Sequence, residues 1–383
     1  MVVMKFGGAV LQHAAGIENM VSIVRNELRK PVVVVVSALG RTTRELANAA
    51  GLAATADTEQ ALRILERIEA FHCALASELL AQGLGAKSTT TRLHDVMHQA
   101  RSVIRSVGIA RQLSDRTLDR VMAYGEDLSR IIAAAALEGA GLDVTEIDAR
   151  DIVVTTSAYG SAEPLFEKTT VRVRDMQNHV RSSNNGVVVT QGFVGQTEDG
   201  STTTMGKESS NLSATLFAAS LGASEVVIWT DVEGVRSIDP RYATTTRVRA
   251  HLSYAQARQA AMKGLKLIYP TMISPAEQAG IPIRIASASN PAGDSTIIDA
   301  QQQDGIPVLF AQPESNHTTV TAMFASLRSW LQAVASLPAT IHDLAIQHVD
   351  ADTTDQAASL VVDNEVVAAV LDHLHTQLCT KNP

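Results

Sequence analysis

Lysines recur beside glycines after strand-like or turn-like stretches in a chain that otherwise chooses arginine. Of 32 basic residues, 8 are lysine and 24 are arginine, yet Lys5 precedes Gly7-Gly8, Lys207 follows Gly206, and Lys266 follows Gly264 by two positions. A lysine ammonium is a compact point charge that can sit against phosphate oxygens, and glycine lets backbone N–H groups approach the same anion. The densest concentration of such chemistry is residues 187–214, VVVTQGFVGQTEDGSTTTMGKESSNLSA. It reads as a buried strand (187–190), a loop broken by Gly192, Gly195 and Gly200, a run of hydroxyls (201–204), and a helix entered at Ser210 or Asn211. Unpaired N–H groups and a partial positive charge at a helix start suit phosphates and carboxylates. Taken alone, the same residues also describe a solvated loop capped by Ser or Asn.

The elements that must position these groups follow an α/β rhythm. Residues 2–6 form an apolar strand that ends at Gly7-Gly8, and helical periodicity runs over 15–28. The unbroken β-branched run 32–38 suits a parallel strand covered on both faces. Ser37-Ala38-Leu39-Gly40-Arg41-Thr42-Thr43 closes that strand, at the carboxyl end where open α/β sheets keep their ligands. Residues 58–138 read as helices. The last of them contains Gly125-Glu126-Asp127-Leu128-Ser129, and a glycine inside a helix costs about 1 kcal/mol, so a close ligand or packed backbone is expected there. Strands at 143–147 and 224–229 follow, the latter broken by Thr230-Asp231-Val232-Glu233-Gly234, with Asp239-Pro240-Arg241 beyond. A further helix from Ser274 and a strand at 281–285 lead to a tail read as strands 307–311 and 318–323, a helix 327–336, strands 340–349 and 358–362, and a helix 365–378.

Composition narrows the partners. At 383 residues the chain exceeds one typical core, so a large α/β domain with a smaller second one is expected. A net charge of −8 argues against a nucleic-acid or anionic-membrane surface. The longest apolar runs fall short of the ~18 residues of a membrane span, and the two cysteines, Cys73 and Cys379, match no metal or redox spacing. Cys73 is expected as an inert buried thiol, and the chain as cytoplasmic.

Taken together, the segments resemble the amino-acid kinase family, and aspartate kinases in particular. Residues 4–8 (MKFGG) are similar to the family's KFGG, residues 37–43 to SA-x-G-x-T-T, and residues 125–129 to GE-x-[LF]-S. Residues 148–155 and 159–164 resemble DAR-x-x-x-x-T and FG-x-A-x-P, and 202–214 the TTT-L-G-R-G-G-S-D-x-[ST]-A loop. Residues 230–235 are similar to TDVDGV, 239–241 to DPR, and 264–270 to GA-K-V-[IL]-H-P. The resemblance implies a mainly parallel three-layer kinase domain over 1–300 and a single, degenerate ACT-like domain over 306–383. It implies MgATP-dependent phosphorylation of the side-chain carboxylate of L-aspartate to 4-phospho-L-aspartate, the opening step of lysine, threonine and methionine synthesis.

On that reading Lys5, Gly7, Gly8 and Asn211 serve the transferring phosphoryl group. Thr43, Glu126, Lys207 and Ser210 bind the amino acid, with Glu126 on its ammonium. Thr230, Asp231, Asp239, Arg241 and Lys266 hold the nucleotide. Magnesium is held mainly by ATP phosphates and water, without a protein ligand set of its own. One ACT-like unit leaves a sheet edge and face uncovered, so a homodimer with little lysine inhibition is expected. The family's arginine and aspartate have become Lys207 and Asn211, Glu208-Ser209 replaces two glycines, and Ala9-Val10 replaces a Thr-Ser pair. A kinase for another small amino acid or carboxylate, or a non-catalytic nucleotide-binding or amino-acid-binding relative, therefore stays open.

Overall fold

The computed structural model describes residues 1–27, 31–182, 186–243, 245–303, 305–339, 341, 346–352 and 357–380. The chain divides into two compact units, the first formed by Met1–Asp231, Ser274–Ile283 and Ala288–Pro291, the second by Val232–Ile273, Arg284–Ser287 and Ala292–Pro383. No helix among the described residues is long and apolar enough to cross a membrane.

The first unit is built on parallel strands in the order β3-β4-β2-β1-β7: β3 (Val144–Glu146), β4 (Val187–Gln191), β2 (Val32–Val36), β1 (Val2–Phe6) and β7 (Glu225–Thr230). Every residue of β1, β2 and β4 is buried, which the continuous valine runs require: a strand apolar on both sides needs a cover on each face. The register pairs Lys5 with Val35 on one side and Ile228 on the other, so β1 ends level with β2 and β7. Between β1 and β2 lie α1 (Gly8–Leu11) and α2 (Ala14–Glu27). The helical stretch resolves into α3 (Thr42–Ala54), α4 (Thr58–Ala81), α5 (Ser88–Ala110) and α6 (Asp115–Gly139), after which come α7 (Ala149–Ile152) and α8 (Phe166–Ser182). Helix α6, with α3 and α5 packed on it, covers β2, β3 and β4; α9 (Ser209–Leu221), with α8, covers β1, β2 and β7. Of the two cysteines, Cys379 is buried and Cys73 is half-buried, at variance with the expected fully buried thiol.

Two local expectations are corrected. The hydroxyl run 201–204 is not loop: Thr202–Thr204 is β6, paired antiparallel with β5 (Val194–Gln196). Helix α9 starts at Ser209, and neither Ser210 nor Asn211 caps it. The cap position is Glu208, whose backbone is left-handed (φ 62°) and whose side chain makes no capping bond. Instead the β6 hairpin is tied to the segment around Gly160, between α7 and α8, by a buried carboxylate. Asp119 of α6 accepts from Thr204 N (2.8 Å), Thr204 Oγ1 (2.7 Å) and Gly160 N (3.0 Å).

In the second unit β8 (His251–Ser253) pairs in parallel with β10 (Ser295–Asp299), and Ser253 with Gln256 forms a capping box that starts α10 (Tyr254–Met262). Helix α11 (Pro270–Ala279) and strand β9 (Ile283–Ser287) run through the division between the units, α11 beginning four residues before the expected Ser274. The tail is a four-stranded antiparallel sheet in the order β11-β12-β14-β13, from β11 (Val308–Pro313), β12 (His317–Met323), β13 (Ile346–Asp352) and β14 (Ala357–Asp363). With α12 (Leu327–Ala335) and α13 (Val367–His375) it closes a core around Trp330, Leu360, Val362, Val370, Leu371 and Leu374. The expected order of elements is present. The strand expected from residue 340 begins at Ile346, and residues 340 and 342–345 of that expectation lie outside the described residues.

Asp119 gives the first test. Asp119→Ala strands two buried donors, Thr204 N and Oγ1, and the part-buried Gly160 N, and hydrogen bonds to a charged acceptor are each worth about 1.5–3 kcal/mol. Urea unfolding should show a loss of about 3 kcal/mol or more, while Asp119→Asn, which keeps the acceptor oxygen, should lose clearly less. Equal, small losses would remove this anchor from the fold.

Candidate active site

The first unit gathers the ends of β1 and β2, the middle of α6 and the start of α9. Lys5 enters from β1 with its side chain buried, 7% of the residue remaining exposed. Burial pushes its ammonium below the ordinary lysine range, opposed by the nearby carboxylates of Glu208 and then Glu126. Gly7 leaves its Cα face open beside that ammonium, since a Cβ there would lie 3.7 Å from Lys5 Nζ. Gly8 has a stricter role: a Cβ would fall 2.0 Å from the Ala38 carbonyl oxygen, so only glycine lets the loop after β1 pass against the loop after β2. The two loops are joined there by Gly40 N donating to Gly8 O at 3.1 Å.

The glycine inside α6 works by packing. A Cβ at Gly125 would crowd Ala38 Cβ and Thr42 Cγ2, both at 3.2 Å, so its absence seats α6 against the loop after β2. Ser129 locks the same contact by donating to Ser37 O at 2.6 Å, and Thr42, one residue before Thr43, donates to Leu39 O at 2.7 Å. Glu126 is thereby buried with the Ala38 N–H as a hydrogen-bond donor. Burial pushes its carboxyl up to about 8, partly opposed by that bond and by Lys5. Its Oε2 is buried without a hydrogen-bond partner.

At the start of α9, Ser209 donates to Gly206 O through its hydroxyl (2.7 Å), and Asn211 N bonds Glu208 O (3.2 Å). Lys207 and Glu208 are exposed, whereas Ser210 and Asn211 are buried. Asn211 is 4% exposed and its Oδ1 has no hydrogen-bond partner. Glu126 Oε2, close to the buried Lys5, and Asn211 Oδ1, at the start of α9, are both buried oxygens without partners. Such atoms are costly unless a ligand engages them. The set fits a bound anion and a bound ammonium together.

Sequence reasoning missed the groups behind this set. Asp127 accepts from Arg150 Nη2 (2.5 Å) and Gln191 Nε2 (3.1 Å), and Asp148 accepts from Arg150 Nε (2.8 Å), Arg150 Nη2 (2.6 Å) and Gln191 Nε2 (2.9 Å). This network ties α6 to α7 and the end of β4. Polar residues at 119, 126 and 127 of a helix otherwise rich in alanine were the available signal. Of the expected nucleotide residues, Thr230 donates to Asp231 Oδ1 at 3.0 Å at the end of β7. Asp239, Arg241 and Lys266 belong to the second unit, where Arg241 holds Asp239 in a local pair (2.6 Å) and Lys266 is exposed.

A raised Glu126 sets a pH dependence. Between the unfolded carboxyl's usual range and about 8, the folded chain keeps a proton there that the unfolded chain releases. Stability is therefore present at acid pH and is lost as pH rises through that window. Glu126→Gln should flatten the fall between pH 5 and 8 by on the order of 1 kcal/mol per pH unit, read from urea midpoints of the unliganded protein. Parallel profiles for the two proteins would contradict the buried, protonated carboxyl.

The model of the amino acid kinase family matches residues 1–287. Aspartokinase 2 of Arabidopsis thaliana, chloroplastic, is 27% identical over 368 residues, covering 94% of this chain and 66% of the plant protein. Lysine-sensitive aspartokinase 3 of Escherichia coli is 26% identical, covering 98% and 81%. The chain spans 32% of a bifunctional aspartokinase/homoserine dehydrogenase of A. thaliana, at 29% identity. Among solved structures, E. coli aspartokinase III in complex with aspartate and ADP superposes with a TM-score of 0.84 at 20% identity, covering 99% of each chain. Clostridium acetobutylicum aspartate kinase gives 0.75 at 16%, covering 99% of this chain and 100% of its own. The α/β architecture with its mainly parallel sheet is that of these structures, and the chain belongs to the amino acid kinase family.

Proposed function

We propose that this chain is an aspartate kinase, transferring the γ-phosphoryl group of ATP to the side-chain carboxylate of L-aspartate. The observation that carries the reading is the buried Lys5 with the unpartnered Glu126 Oε2 close to it, together with the buried, unpartnered Asn211 Oδ1 at the start of α9. An α-amino acid with an anionic side chain brings the ammonium and the carboxylate that this set lacks. The relatives' names point to the same substrate.

The chemistry asks for alignment of two anions and neutralisation of charge as the phosphoryl group moves. Glu126 receives the ammonium and gives up its proton as the pair forms, since an adjacent cation favours the charged carboxylate. Lys207 and Ser210, at the start of α9, hold the α-carboxylate with the helix's positive end, and Thr43 borders the side chain. Lys5 faces the oxygens between which the phosphoryl group passes, and the Gly7 and Gly8 backbone lies close enough to line its path. Asn211 is assigned to positioning Lys5. Thr230 and Asp231 at the end of β7, and Asp239, Arg241 and Lys266 in the second unit, are assigned to the nucleotide. Magnesium, held through ATP phosphates and water, neutralises phosphate charge. We place the catalytic domain at residues 1–300 and an ACT-like domain at 306–383, assembled as a homodimer.

ADP release over a panel of small carboxylic amino acids tests the substrate: L-aspartate should give the highest kcat/KM. Lys5→Met should lower kcat about 100-fold or more while ATP still binds. Turnover of another substrate in preference to aspartate, or of none, would overturn the assignment.

A separate comparison tests the loop. Glu208 is the foremost opposite charge acting on Lys5, at a position whose left-handed backbone suits glycine. Glu208→Gly should therefore gain about 1 kcal/mol of stability and lose about tenfold in turnover. Asn211→Asp should add a second anion and weaken ATP binding. A faster Asn211→Asp enzyme beside an unaffected Glu208→Gly enzyme would show that Glu208 has not replaced the family's aspartate.

A further inference from the structure

A second polar site lies along α6, on a stripe separate from the one that carries Glu126. Arg116, Arg120, Tyr124, Asp127 and Arg130 follow one another at spacings of three and four, and so share one face of the helix. That face, with Arg150, Val96 and Gln99 and the turn Gly200-Ser201-Thr202 before and into β6, lines a cavity of about 550 Å³. None of Lys5, Gly7, Gly8, Thr43, Glu126, Lys207, Ser210 or Asn211 lines it.

Its electrostatics are unbalanced. Arg150 is matched by Asp127 and Asp148, and Arg130 by Glu146 at 2.5 Å. Arg116 has Asp199 as an electrostatic neighbour, but among the described residues neither Arg116 nor Arg120 has a carboxylate within ion-pair distance. Two buried polar atoms of the lining residues also have no partner, Tyr124 Oη and Arg130 Nε, while the Ser201 hydroxyl is engaged by the Asp199 carboxylate. Tyr124 is 4% exposed, so water does not satisfy its hydroxyl by way of open surface. A buried hydroxyl left unpaired costs about 1–3 kcal/mol, and one on a cavity wall that also carries two exposed guanidinium groups points to a ligand. All of these groups can donate hydrogen bonds to oxygen, and a guanidinium fork matches phosphate and carboxylate alike.

We propose that this cavity binds a small organic anion, recognised through two or more negatively charged oxygens by Arg116, Arg120 and Tyr124. Phosphate esters and dicarboxylates share that chemistry. The volume admits a metabolite-sized ligand and excludes a polymer. Because α6 also carries Glu126 and Asp119, the ligand rests on the helix that seats the active-site carboxylate and anchors the β6 hairpin.

Titration calorimetry of the full chain at fixed ionic strength, with L-aspartate and ADP present throughout, separates the two ligand classes by using inorganic phosphate in one arm and succinate in the other. Saturable binding is expected in at least one arm. It should weaken about tenfold or more in the Arg116→Gln/Arg120→Gln double variant, whose exposed side chains leave the fold intact. Tyr124→Phe should weaken it several-fold with an unchanged thermal melt. The arm that responds names the class. No saturable binding in either arm below about 10 mM, or affinity unchanged in the double variant, overturns the proposal. So does loss in the double variant with Tyr124→Phe unaffected, which reduces the cavity to surface charge.

Discussion

A lysine ammonium buried at the end of the central strand is the constraint that the rest of the first unit answers. Taking a charge out of water is expensive, and burial alone drives Lys5 toward its neutral form. Two carboxylates oppose this, and each is delivered by a different element: Glu208 by the loop before α9, Glu126 by the middle of α6. Both deliveries have a backbone cause. Gly125 has no Cβ to hold α6 off the loop after β2, and Gly8 has none to hold that loop off the end of β1. Asp119 fixes the β6 hairpin from which the loop with Glu208 departs. An ammonium that stays charged while buried acts on a transferred anion through little water, where a charge is worth far more than at the surface.

Much of this was legible in the chain. The valine runs of β1, β2 and β4 show strands covered on both faces, and glycine after a strand marks where the backbone can meet an anion. The misreadings have a common cause. Thr202-Thr203-Thr204 looks like loop because three hydroxyls carry no alternation, but Thr203 is buried against Thr155 with their hydroxyls 2.7 Å apart, a tertiary contact that local pattern does not encode. Ser210 and Asn211 look like caps because their types cap well. The helix instead begins one residue earlier, at the turn imposed by Gly206 and by the left-handed Glu208. Asp119 and the pairing of Asp127 with Arg150 depend on partners 23 to 85 residues away, so neither has a local signature.

Under the proposed function, Glu208 stands in for an aspartate at position 211. Asn211 is buried and Glu208 is exposed. An anion moved outward costs less to desolvate and is better screened, so it holds Lys5 more weakly for each unit of charge. Among the described residues, Glu126 is then the fully buried carboxylate acting on that lysine, and burial keeps it protonated up to about 8. Under the proposed function, an amino acid's ammonium bound at Glu126 ionises it, and the new charge acts on Lys5 as well as on the ligand. Substrate binding and the electrostatics of the lysine are thereby coupled through one carboxyl, and the unpartnered Glu126 Oε2 is the atom through which that coupling runs.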